Sequence, residues 1–150
     1  MTAALAAEPV TRAPPACFTE RMKLKYTILY VHDVARSLTF YEQAFGLTRA
    51  MLHAGGDYGE LMTGATKLAF ATRTLMSDIG KHPGVADPAK PCFEIAFETD
   101  DVQAALTQAL AAGATLVQKA ESMPWGQTIS YVNDPDGFLI EICSPVDPPS

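Results

Sequence analysis

The stretch Asn133-Asp-Pro-Asp-Gly-Phe-Leu-Ile-Glu-Ile142 decides the fold of this chain, because it joins a tight turn to an alternating strand. Pro135 presets φ for the turn and Gly137 tolerates a positive φ, so the strand begins in a defined register. Residues 138, 140 and 142 then point to one side of the strand, and residues 139, 141 and 143 point to the other. The carboxylate of Glu141 interrupts an apolar run, which makes it a candidate site residue.

The same order of strand and helix signals occurs twice along the chain. The β-rich run Tyr26–Val31 is followed by an N-cap at Asp33 and by a helix that closes at Gly46, and three short strands follow it. A shift of 68 residues places Tyr26 on Glu94 and Asp33 on Asp101. The sequence therefore predicts an α+β fold of two tandem βαβββ modules.

The predicted domain organisation has one domain over residues 23–150. Module one covers 24–74, a linker covers 75–91, and module two covers 92–144. The segment 73–91 is rich in glycine and proline, so it is either a linker or a lid, and linker is the simpler interpretation. Residues 1–22 form an Ala/Pro-rich tail that we expect to be disordered, and Met22 is hypothesised to be the natural start.

Composition narrows the class of partner. The chain has 150 residues, 48% hydrophobic content and a net charge of -6, which is typical of a single domain with a real core. The acidic balance without a Lys/Arg run argues against nucleic acid and an anionic membrane surface, and no apolar stretch reaches the ~18 residues of a membrane helix. A small-molecule ligand is predicted. Three cysteines without paired spacing indicate reduced thiols in a cytoplasm.

A second carboxylate follows the same parity as Glu141. Phe93, Ile95 and Phe97 form one face of their strand, and Glu94 lies on the other. We expect Glu94 and Glu141 to share a cleft, where two carboxylates bind a cation or act as general acid and base.

Further candidates for substrate binding are aromatic, flexible or basic side chains near the expected cleft. Each also has a structural interpretation: an aromatic ring plugs the core edge, a methionine fills the core, and an arginine lies at the surface. The three histidines lack ligand-like spacing and are expected at the surface. These candidates are Trp125, Tyr30, Met62 and Arg73, and the histidines are His32, His53 and His82.

Taken together, four motifs resemble the glyoxalase, bleomycin-resistance and extradiol-dioxygenase superfamily, also called vicinal oxygen chelate proteins. The motifs are the run 26–41, Gly113-Ala-Thr115, Pro124-Trp-Gly-Gln127 and Asp134-Pro-Asp-Gly-Phe-Leu-Ile-Glu141. The resemblance extends over residues 24–144. It implies paired modules whose curled mixed sheets enclose a cleft, commonly completed in a homodimer.

In metal-using members of that family, ligands come from the first and last strand of each module. The matching positions here are Tyr26, Ala69, Glu94 and Glu141. Ala69 cannot ligate, and Tyr26 stands where many members have histidine. Two carboxylates without an imidazole suit Mg²⁺ or Mn²⁺ and suit Zn²⁺ less well. Ni²⁺ is a further possible metal. No other cofactor is expected.

The resemblance implies a glyoxalase-like lyase or isomerase that acts on a small carbonyl or enolisable substrate. Glu94 and Glu141 would bind a metal or shuttle a proton, and Tyr26 would donate a hydrogen bond. An extradiol dioxygenase is disfavoured, because none of the four matching positions is histidine. The alternative is a binding protein of the antibiotic-resistance type, which sequesters its ligand and breaks no bond. A protein without retained chemistry is the third option.

Overall fold

The computed structural model describes residues 21–146. The predicted tail therefore lies outside the described residues, except for its last two positions. The elements in chain order are β1 (Tyr26–Val31), α1 (Val34–Phe45), β2 (Thr48–Leu52), β3 (Tyr58–Met62), β4 (Lys67–Thr72), α2 (Arg73–Asp78), β5 (Glu94–Glu98), α3 (Val102–Ala111), β6 (Thr115–Ser122), β7 (Thr128–Asn133) and β8 (Leu139–Cys143).

The strands form two four-stranded sheets of the same topology. Their orders are β1-β4-β3-β2 and β5-β8-β7-β6. The pairs β1/β4 and β5/β8 are parallel, and all other neighbours are antiparallel. The predicted α+β fold of two tandem βαβββ modules is confirmed.

The two long helices begin where the sequence predicts. The side chain of Asp33 accepts the N–H of Arg36 at 3.1 Å, and that of Asp101 accepts the N–H of Ala104 at 3.0 Å. These bonds satisfy N–H groups that the first helical turn leaves without partners. Gly46 ends α1 with φ 67°, a left-handed conformation that favours glycine.

One hydrophobic core joins the two modules, because α1 and α3 pack against each other and each also packs against the sheet of its own module. The rings of Phe45 and Phe97, one from each module, lie 4.7 Å apart between centroids. Gly59 lets α1 approach the first sheet closely, since an added Cβ would lie 2.7 Å from Cδ1 of Leu38. The apolar faces of both sheets are thereby covered.

Each sheet also has a face that points away from this core. We call these the first and the second open face, and strand parity assigns their residues. On β1, Leu29 and Val31 are buried in the core while alternate residues are not. The first open face carries Tyr26, Ile28, Tyr30, Tyr58, Glu60, Met62, Lys67, Ala69 and Ala71, and the second carries Glu94, Ala96, Glu98, Tyr131, Leu139, Glu141 and Cys143.

The segment between the modules begins with a six-residue helix that sequence analysis did not predict. This helix, α2, has Thr72 as its N-cap, and the hydroxyl of Thr72 accepts the N–H of Leu75 at 3.0 Å. Residues 79–93 contain no helix or strand. Within residues 21–146, no helix has the length and apolar character of a membrane span.

Candidate functional site

The second open face brings together two carboxylates and a phenol. The hydroxyl of Tyr131 donates a hydrogen bond to Oε2 of Glu141 at 3.1 Å, and these residues are direct cross-strand partners on β7 and β8. Glu141 is also in register with Ala96 on β5, so Glu94 lies one strand away on the same face. The predicted pairing of Glu94 with Glu141 on one face thus follows from strand register.

The phenol of this cluster keeps its proton. Burial, the hydrogen bond to Glu141 and the negative charges of Glu141 and Glu94 raise the pKa of Tyr131 to about 12. A protonated phenol donates one hydrogen bond, and that bond fixes the orientation of the Glu141 carboxylate. Tyr26 was expected to donate the hydrogen bond, whereas the phenol that contacts Glu141 in this chain is that of Tyr131.

Cys143 lies on the same face but does not add a nucleophile. The residue is 7% exposed, and burial followed by the charges of Glu141 and Glu98 raises the pKa of its thiol. Because the thiolate is the nucleophilic form of cysteine, a thiol that holds its proton is unreactive. The chemistry of this face therefore rests on oxygen groups.

A second polar cluster lies on the first open face. Glu60 accepts hydrogen bonds from Nζ of Lys67 at 2.7 Å and from the hydroxyl of Tyr58 at 3.0 Å. Only 7% of the surface of Glu60 is exposed. Glu60 is also the cross-strand partner of Ala69, one of the positions that match metal ligands in metal-using members of the family. A carboxylate is thus present beside that position, on the adjacent strand.

Glu60 is not among the site residues that the sequence predicts. It sits inside Tyr58-Gly-Glu-Leu-Met62, where Gly59 resembles a strand break and hides the alternation of polar and apolar residues. The alternation along the strand could have indicated Glu60, because positions 58, 60 and 62 share the face opposite to the buried Leu61.

The charge of Glu60 should make a pH-dependent contribution to stability. The hydrogen bond from Lys67 lowers the pKa of Glu60, although burial opposes this effect. A carboxyl group whose folded-state pKa is depressed stabilises the fold above its ordinary pKa of about 4.3 and loses that contribution as the pH falls through the folded value. We expect Glu60→Gln to lower the melting temperature by roughly 2–4 °C at pH 7 and by much less near pH 3.

The measurement is thermal unfolding at both pH values. Glu121→Gln is the matched control, since Glu121 is an exposed carboxylate on β6. Equal melting temperatures for wild type and Glu60→Gln at pH 7 would contradict this role of Glu60.

The donor set of one chain does not fit a resident catalytic metal. Ala69 has no ligating atom, and Tyr26 lies on the first open face while Glu94 and Glu141 lie on the second. No group of three or more His, Cys, Asp or Glu side chains in residues 21–146 is arranged to hold a metal ion. Protein metal sites normally have three or more protein ligands. Two carboxylates alone fall short of that number.

The structure separates the four candidate substrate-binding residues. Tyr30 lies on the first open face, where Nζ of Lys81 donates to its hydroxyl at 3.3 Å. Met62 is the last residue of β3 on that face and is 60% exposed. Trp125 is 58% exposed, and its Nε1 donates to Gln127 at 2.9 Å, while Arg73 begins α2. Of these four residues, only Tyr30 lines the apolar cavity between β1, the segment 84–93 and the start of β8.

Comparison with known proteins identifies the class that this fold and site define. The family model of the Glyoxalase/Bleomycin resistance protein/Dioxygenase superfamily matches residues 23–142. The chain belongs to this superfamily, and the resemblance inferred from its motifs is confirmed.

Individual relatives share low sequence identity with this chain. A protein named lactoylglutathione lyase from Neisseria meningitidis is 30% identical over 131 residues, which cover 80% of this chain and 88% of that protein. The uncharacterised protein YraH from Bacillus subtilis is 27% identical over 124 residues, covering 81% and 97%. A glyoxalase-related enzyme from Fulvimarina pelagi has a similar structure, with a TM-score of 0.73, 22% identity, and coverage of 83% of this chain and 89% of that chain. The structural similarity to the Fulvimarina pelagi enzyme shows that the two chains share a fold.

Proposed function

We propose that this protein is a glyoxalase-like enzyme, a lyase or isomerase that acts on a small carbonyl or enolisable substrate. The observation that carries the proposal is the Glu141 carboxylate, oriented by the hydroxyl of Tyr131 at 3.1 Å and accompanied by Glu94 on the same face. A carboxylate held in one orientation suits the removal of a proton from a carbon next to a carbonyl group. The lyase names of several relatives agree with chemistry of this type.

The proposed step is a proton transfer. Glu141 takes the proton from the carbon next to the carbonyl, and the electron pair of the broken C–H bond forms the C=C bond of an enolate. In a substrate with a hydroxyl group on that carbon, the carboxylate of Glu94 carries the hydroxyl proton to the enolate oxygen. Protonated Glu141 then returns its proton to the former carbonyl carbon, so that the carbonyl moves by one position and both carboxylates are regenerated. Proton transfer by a positioned side chain contributes typically ~10²–10⁴-fold to a rate.

A second copy of the chain is proposed to complete the cleft. Tyr26 and Ile28 on the first open face are 43% and 44% exposed, and Met62 on the same face is 60% exposed. Apolar side chains grouped on one sheet face favour burial against a partner. Sedimentation equilibrium tests the homodimer, and a monomer at all concentrations would contradict it.

The test of the proposed function is exchange of carbon-bound hydrogen with deuterated solvent, followed by NMR. Acetone, hydroxyacetone and 1-phenylpropan-2-one are enolisable probes of increasing size. Each is measured in EDTA and with Mg²⁺, Mn²⁺, Ni²⁺ or Zn²⁺, so that a metal contribution is read separately. Exchange above the buffer rate for at least one probe supports the proposal, and exchange at the buffer rate under all conditions contradicts it.

The alternative is a ligand-sequestering protein that breaks no bond. An apolar cavity close to the second open face favours this alternative, because such a cavity binds apolar ligands without any chemistry. Tight ligand binding without exchange would select it over the enzyme.

A further inference from the structure

A cavity of about 310 Å³ lies between β1, the segment 84–93 and the start of β8. Its lining is mainly apolar, with only Asp87 and Lys90 contributing charged side chains. Among its lining residues are Ile28, Tyr30, Val85, Pro91, Phe93 and Phe138. An apolar cavity of roughly 150 Å³ is enough to bind benzene, so this space is ample for an aromatic ring or a branched alkyl group.

The segment 84–93 forms a fixed wall of this cavity. It packs against the turn that precedes β8, where an added Cβ on Gly137 would lie 3.1 Å from the side chain of Pro88 and 3.2 Å from the carbonyl oxygen of Ala86. The ring centroids of Phe93 and Phe138 are 6.1 Å apart, and the two ring planes make an angle of 63°. Aromatic pairs in such an edge-to-face arrangement attract each other. The segment expected to be a linker or a lid thus has a defined position against the second module.

The cavity adjoins the carboxylate cluster of the second open face. Leu139 lines the cavity, and it is the direct cross-strand partner of Glu94. Leu139 also lies two residues before Glu141 on the same side of β8. Leu139 therefore belongs both to the cavity lining and to the face that carries the two carboxylates.

We propose that this cavity binds an apolar substituent, an aromatic ring or a branched alkyl group, of the carbonyl substrate. This proposal rests on the proposed function for the position of the carbonyl, but the binding of the apolar group is independent of any reaction. The substrate class is then an uncharged or weakly charged carbonyl compound with a bulky apolar side chain. Small carbonyl compounds without such a group leave the cavity unfilled.

The experiment compares 1-phenylpropan-2-one with acetone as ligands of the full chain, using ligand-observed NMR titration. The two ketones differ only in the phenyl group. We expect 1-phenylpropan-2-one to bind at least about tenfold more tightly. Val85→Trp places a large ring at the cavity and should weaken binding of the phenyl ketone about tenfold. Val117→Trp is the matched control, because Val117 is an exposed valine on β6 outside the cavity.

The outcomes separate the two proposals. Preferential binding of 1-phenylpropan-2-one that is lost in Val85→Trp and retained in Glu141→Gln supports the cavity assignment. This holds even when neither wild type nor any variant catalyses deuterium exchange and the proposed function fails. Equal affinity for both ketones, or unchanged phenyl ketone binding in Val85→Trp, overturns the cavity assignment. When the cavity assignment is overturned in this way, catalysed deuterium exchange of both ketones at equal rates still supports the proposed function. Val85 is 69% exposed, so its replacement should preserve the fold, and thermal unfolding checks this.

Discussion

Replacing Asp134 with alanine is expected to lower the free energy of unfolding by about 3–5 kcal/mol. The carboxylate of Asp134 is 4% exposed and accepts three hydrogen bonds. Oδ2 accepts the hydroxyl of Tyr41 at 2.6 Å, and Oδ1 accepts the N–H groups of Asp136 and Phe138 at 3.0 and 2.9 Å. The alanine variant leaves all three donors without this partner, and buried donors without partners are costly.

The position of this carboxylate explains why the effect should be large. Tyr41 belongs to α1 of the first module and is fully buried, whereas Asp134 belongs to the turn before β8 of the second. Burial followed by the charge of Asp134 raises the pKa of Tyr41, so the phenol remains the donor of this bond. The bond thus joins the two modules inside their common core.

Chemical denaturation with urea measures the loss of stability. Asp136→Ala is the matched control in the same turn, because Asp136 is less buried and accepts two bonds, one from the N–H of His32 at 3.3 Å and one from the hydroxyl of Ser37 at 3.0 Å. We expect it to cost about 1 kcal/mol. Equal losses for Asp134→Ala and Asp136→Ala would contradict the special role of the buried carboxylate.

The contribution of Asp134 to stability changes with pH in the opposite direction to the contribution of Glu60. Burial raises the pKa of Asp134, although the bonds from Tyr41 and Phe138 oppose the rise. A group with a raised folded-state pKa stabilises the fold below its ordinary pKa of about 3.9 and loses that contribution as the pH rises through the folded value. Wild type should therefore gain stability relative to Asp134→Asn as the pH falls from 7 towards 4, and urea denaturation at several pH values measures this.

Local sequence rules predict the parts of this structure that depend on neighbouring residues. Asp33 and Asp101 cap their helices because an N-cap side chain bonds to an N–H only three residues away. Glu94 and Glu141 share a face because alternation along each strand is a local property, and the repeated module places both strands in one sheet.

Contacts between distant residues could not be predicted in the same way. The bond from Tyr41 to Asp134 joins residues 93 positions apart, and it depends on how α1 packs against the other module. The partner of Glu141 is Tyr131, because an antiparallel register on β7 places them opposite each other. Nothing in the alternation of either strand fixes that register. Glu60 lies beside Ala69 for the same reason, since the pairing of β3 with β4 decides it.

Replacing Glu141 with glutamine is expected to lower the rate of catalysed deuterium exchange about 10²–10⁴-fold. Glutamine keeps the size of the side chain and can still accept the hydrogen bond from Tyr131, but its amide cannot take a proton from carbon. Because Glu141 lies on the open face outside the buried core, the free energy of unfolding should change by less than about 1 kcal/mol. Loss of exchange with an unchanged fold is the signature of a group that moves the proton.

Glu98→Gln is the matched control for this prediction. Glu98 is an exposed carboxylate on the same open face, on β5, and its replacement removes the same charge without touching the bond between Tyr131 and Glu141. Exchange should remain within about threefold of wild type in this variant, because only a screened charge is lost. If Glu98→Gln loses as much activity as Glu141→Gln, the loss reflects the electrostatic field of the face. If both variants exchange as fast as wild type, Glu141 is not the base, and the second open face binds its ligand without proton transfer at this carboxylate.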